Sequence, residues 1–123
     1  MSDETTPLDM DGLKGLADGR FFADWEDSVA FNPPEAVAAS QAVMQKTVHK
    51  LLELGPVARI DAVMAVLREC IEAFNDLDTH WGEGGWICTL ERDDILEEFY
   101  RVVELTGMGY QADLDDGTIW RDW

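Results

Sequence analysis

Apolar residues recur along the middle of the chain with the period of a helix, and three stretches carry that signal. The first opens at Asn32, a residue suited to capping, with Pro33 and Pro34 in the first turn and Glu35 completing an arrangement like a capping box. From there Val37, Met44, Val48, Leu51 and Leu52 fall on one stripe, until Gly55 and Pro56 stop it. The second begins near Val57 or Ala58 and runs to about Leu77. Its face is Ile60, Val63, Met64, Leu67, Ile71 and Phe74. So short a link between the two predicts antiparallel neighbours, an αα-hairpin. The third starts around Thr89 and ends before Gly107, with Ile95, Leu96, Phe99, Tyr100, Val102 and Val103 spread over a broad arc. Glu91, Asp93 and Asp94 occupy its early turns, where carboxylates favour the positive end of the helix dipole.

The flanks carry weaker patterns. Residues 1–12 are polar, acidic and aperiodic, and read as a disordered tail ahead of a single helical domain over 13–123. Leu13, Leu16, Phe21, Phe22, Trp25, Val29 and Phe31 supply enough apolar matter for the next segment to dock on a core, with room for a short helix near 24–30. Residues 79–88, THWGEGGWIC, read as a Gly-rich loop, and Asp115-Asp116-Gly117 as a turn. A short hairpin across that turn would set 110–114 against 118–120. The expected fold class is all-α: a small bundle of three principal helices with a docked N-terminal segment and a C-terminal tail folded over it. At 123 residues the chain is one domain in size, able to bury about two thirds of its unfolded surface without a staple.

Charge changes the picture most. Nine Lys and Arg stand against 26 Asp and Glu, a formal net charge of -17. Such a surface repels nucleic acid and anionic lipid, and it speeds encounter with a basic protein. Solubility alone is the competing explanation. Residues 32–55 are neutral, with two acids and two bases, which marks the first helix as the most central element. The negative field comes mainly from the N-terminal segment and from the third helix with its flanks. No stretch approaches the roughly 20 apolar residues of a membrane helix, and the acidic N-terminus is unlike a signal peptide. A cytoplasmic location is expected, with Cys70 and Cys88 as reduced thiols.

Candidate chemistry is sparse. Asp76, Asp78, His80 and Glu83 gather carboxylates and an imidazole at close spacing and could hold a divalent metal, with Asp76 four residues before His80. The spacing matches neither an EF-hand nor H-E-x-x-H. Asp113, Asp115, Asp116 and Gly117 miss the calcium-loop spacing and read as a turn. A di-iron carboxylate site fails because Lys46 and Leu77 stand three residues before the two histidines. Cys70 sits at the margin of an apolar face, and the acidic surroundings of Cys88 raise a thiol pKa. No nucleophile elbow or phosphate-cradling glycine motif is present, so no cofactor is expected and catalysis is disfavoured. His49, between Lys46 and Lys50, marks the one basic spot, read as a solvated helix face that could contact an acidic partner.

Five tryptophans complete the inventory: Trp25, Trp81, Trp86, Trp120 and Trp123. They either close the ends of a small core or anchor an interface. The leading functional expectation is an acidic protein-binding domain, an inhibitor or immunity-type protein masking a basic partner. Its contact surface would be Asp93, Asp94, Glu97 and Glu98 with Trp81, Trp86, Asp113, Asp115, Asp116 and Trp120. The alternatives are a metal-binding protein or metal-dependent enzyme using the Asp76, Asp78, His80, Glu83 cluster, and a homodimer subunit with the tryptophans in its seam.

Residues 86–107, WICTLERDDILEEFYRVVELTG, with WRDW at 120–123, resemble a group of small acidic bacterial proteins. The shared features are an [ILV]-x-T-x-E-R-[DE] helix start and a Trp-rich C-terminus. The resemblance supplies no catalytic residues and implies a bacterial, cytoplasmic setting.

Overall fold

The structure, a computed structural model, describes residues 4–19, 21–22, 34–80 and 89–107. It is mostly helical. In chain order the elements are β1 (Thr5–Pro7), α1 (Met10–Asp18), α2 (Pro34–Leu54), β2 (Val57–Arg59), α3 (Ile60–His80) and α4 (Thr89–Leu105). The tryptophans, the segments at 24–30 and 81–88 and the 110–120 hairpin expected from sequence lie outside the described residues.

The two long helices form the expected antiparallel pair. On α2, Val37, Met44, Val48 and Leu51 are buried, and Leu52 is partly so. The missing turn in that stripe is filled by Ser40, fully buried, whose hydroxyl donates to the Ala36 carbonyl at 2.8 Å. A hydroxyl satisfied within its own helix can face a core at little cost. On α3, Val63, Leu67, Ile71 and Phe74 are buried, while Ile60 and Met64 pack at the margin. Gly55 ends α2 in the left-handed region at φ 91°, a conformation glycine adopts without a Cβ penalty. As its neutral charge suggested, α2 packs against both α1 and α3.

Three expectations need correction. Residues 4–12 are not a disordered tail. Thr5, Thr6 and Pro7 pair antiparallel with Arg59, Ala58 and Val57. Thr6 and Leu8 turn inward while Thr5 and Pro7 face out, a period of two. Leu8 N–H donates to the Pro56 carbonyl at 2.8 Å and Ile60 N–H to Glu4 at 3.0 Å, extending the ladder at both ends. Second, the residues after Pro56 begin as strand, so the helix starts at Ile60, and it runs on through Thr79 and His80, where the sequence predicts a loop. Third, a further short helix, α1, precedes the three principal ones. Asp9 caps it, its Oδ1 accepting from Gly12 N–H at 2.9 Å.

The chain around Thr6 also fixes the far end of α4. Thr6 Oγ1 donates to the Thr106 carbonyl at 2.6 Å, and Asp9 N–H donates to Leu105 at 2.8 Å. Gly107 turns at φ 71°, and a Cβ there would stand 2.8 Å from Thr6 Oγ1 and 3.1 Å from the Pro7 carbonyl. Elsewhere, Gln41 and Gln45 of α2 donate to the carbonyls of Phe21 and Gly19, at 2.9 and 3.0 Å. These bonds hold Phe22 over α3, where its ring meets Phe74 edge-on at 6.3 Å. Leu13, Phe21, Phe22, Ile95, Phe99, Val102 and Val103 complete the core.

Candidate functional site

Helix α4 divides into an apolar side and an acidic one. Ile95, Phe99, Val102 and Val103 are buried. Asp93, Asp94, Glu97 and Glu104 are exposed on the other side, with Arg101 among them. The 3.6-residue repeat places Asp93, Glu97, Arg101 and Glu104 in one row, with Asp94 and Glu98 beside it toward the core. Two like-charge pairs therefore sit one turn apart, Asp93 with Glu97 and Asp94 with Glu98. Each such pair destabilises a helix by a few tenths of a kcal/mol.

Glu98 shows the strain of this arrangement most directly. Its side chain is only 19% exposed, and Arg101 Nη1 lies 3.6 Å from Oε1. Burial pushes its carboxyl above the ordinary value; Arg101 opposes the rise, and the charges of Glu97 and Asp94 add to it. The sequence placed Glu98 with its exposed neighbours, yet it stands at the edge of the core. The remaining residues proposed for the contact surface, Trp81, Trp86, Asp113, Asp115, Asp116 and Trp120, lie outside the described residues.

The cluster proposed for a metal is only partly described. Asp76 is exposed and Asp78 is 8% exposed. Two residues apart on a helix, they project to opposite sides of α3. The helix does continue to His80, so Asp76 and His80 stand one turn apart. The His80 side chain and Glu83 lie outside the described residues. Among the described residues no three His, Cys, Asp or Glu side chains group closely enough to hold a metal ion.

Cys70 is a core residue, 2% exposed, with its Sγ 3.8 Å from Met44 Sδ. Burial pushes the thiol up to about 12, the Glu69 charge adds to that, and a hydrogen bond with Thr47 opposes it. Such a thiol is protonated at neutral pH and is no nucleophile. His49 is exposed, as the solvated-face reading requires. Its neighbours Lys46 and Lys50 do more than face water: both reach across to Glu69 of α3. Helical spacing predicts no such contact, because it depends on the register between two helices.

None of the described helices is long and apolar enough to cross a membrane. No protein-family model matches the chain, and neither curated proteins nor solved structures gave a match.

Proposed function

We propose that this chain is an acidic protein-binding domain, an inhibitor or immunity-type protein of the bacterial cytoplasm that masks the cationic site of a basic partner. The observation that carries the reading is the crowding on α4. Asp93, Asp94 and Glu97 are exposed beside Glu98, which Arg101 approaches from the same helix. Like charges one turn apart cost the isolated domain stability. A partner's lysines and arginines would relieve that cost on binding and would be steered toward the face before contact.

The test is association kinetics. Partners are captured from lysate of the source organism at low ionic strength, and their on-rates are measured against wild type and against a variant with Asp93→Asn, Asp94→Asn, Glu97→Gln and Glu98→Gln. A basic partner whose association slows several-fold in the variant, and slows likewise in wild type at high salt, supports the reading. Unchanged kinetics would remove α4 from the interface.

A further inference from the structure

A second region has the features of a small-molecule site. Between α2 and α3 lies a half-open pocket of about 190 Å³. Ala42 and Val43 wall it on one side, Val66 and Ala73 on the other, with Cys70 beneath. Thr47, the hydroxyl in the wall, donates to the Val43 carbonyl at 2.8 Å and so adds little polarity. An apolar cavity of about 150 Å³ accommodates benzene, so this volume suits one substituted ring.

The rim is charged, with the sign opposite to that of the molecule. Lys46 and Lys50 stand one turn apart on α2, 68% and 34% exposed at the side chain, facing Glu69 of α3. Lys50 hydrogen-bonds Glu69 at 2.5 Å, whereas Lys46 comes no closer than 3.9 Å, beyond hydrogen-bond reach. One carboxylate thus answers two ammoniums, and the rim keeps about one unit of positive charge. The N–H donors of Lys46 have room for a second acceptor.

From the apolar pocket and its doubly cationic rim, the geometry points to a binding site for a small aromatic monocarboxylate. The ring lies between Ala42, Val66 and Ala73, and the carboxylate meets Lys46 beside Glu69. An aromatic body fits better than an aliphatic one because sulfur lies beneath it and ammonium groups above, both favourable partners for a ring. A monoanion fits because one net charge is left at the rim. The site is separate from the acidic face of α4, and neither reading depends on the other.

The test is an amide-resonance titration of the full chain with three probes: phenylacetate, its neutral analogue phenylacetamide, and acetate. Phenylacetate should give saturable shifts confined to residues 42–50 and 66–73, with a Kd of about 0.1–1 mM for a ligand of this size. Phenylacetamide should bind about five-fold more weakly, the worth of one exposed ion pair, and acetate should not saturate. Lys46→Met should bring phenylacetate down to the level of the amide while leaving the amide unchanged. Ala42→Leu, at an exposed wall position that tolerates bulk, should abolish both. The proposal is overturned if phenylacetate gives no saturable shift, if acid and amide bind equally, or if Ala42→Leu binds as wild type does. Shifts on this face that follow protein concentration rather than added phenylacetate would make it a self-contact, and would equally overturn it.

Discussion

The α2–α3 face and the outer face of α4 handle charge differently. Across the hairpin Lys46 and Lys50 reach Glu69, and within the second half of the hairpin Arg68 pairs with Glu72 at 3.2 Å and Arg59 with Asp61 at 3.1 Å. On α4 carboxylate stands beside carboxylate, and Glu98 is held partly out of water as well. A net charge of -17 is therefore not an even coat. Cations of α2 reach a carboxylate of α3 across the hairpin, whereas on α4 Glu98 meets Arg101 of its own helix. Composition reports the sum, and only the structure reports where each charge is placed.

The contrast can be broken at its foundation first. Phe74 is fully buried and edge-on to Phe22, so Phe74→Ala should cost about 3–5 kcal/mol in urea unfolding and loosen the hairpin on which both faces rest. A loss under 1 kcal/mol would show that α3 is not the centre of the core. Next, Gly107→Ala places a Cβ against Thr6 and Pro7 at positive φ and should cost about 1–3 kcal/mol. The damage should be local: amide exchange should accelerate at 4–8 and 100–107 before it does in the hairpin.

Smaller changes test the charges themselves. Glu69→Gln should destabilise, by up to about 1 kcal/mol, because it leaves two lysines unanswered. Asp93→Asn with Glu97→Gln should do the reverse and stabilise by a few tenths of a kcal/mol. Equal signs for the two variants would abolish the distinction between the faces. The smallest effect concerns pH. With the folded-state value of Glu98 raised above the ordinary 4.5, the folded protein binds the extra proton, so the stability this group contributes is present below 4.5 and is lost as pH rises through the folded value. Glu98→Gln should therefore raise the melting temperature at pH 7 and leave it unchanged at pH 4. The opposite pattern would mean that Arg101 outweighs burial.

How much of this was legible depended on how local each signal is. The stripes of α2, α3 and α4 and the Gly55-Pro56 stop lie within single segments, and period alone reveals them. β1 was invisible because its three residues pair with a segment about fifty positions on, and their alternation was masked by the acids around them. α1 was hidden by Gly12 and Gly15, poor helix formers, with Leu13 and Leu16 as its main apolar anchors. At the site, the exposure of Asp93, Asp94 and Glu97 followed from the apolar arc opposite. The burial of Glu98 and the bridging by Glu69 did not, since both depend on how helices lie against one another.

The bond from Thr6 to Thr106 spans a hundred residues, and that separation orders events during synthesis. β1 leaves the ribosome ahead of the segments that hold it: its strand partner follows some fifty residues later and Thr106 later still. At about 5–20 residues per second, Thr6 waits about 5–20 s before the last of these partners exists. The hairpin of α2 and α3 can form meanwhile from contacts between neighbours in sequence. Of these elements β1 is thus the first to appear and the last to be locked in place.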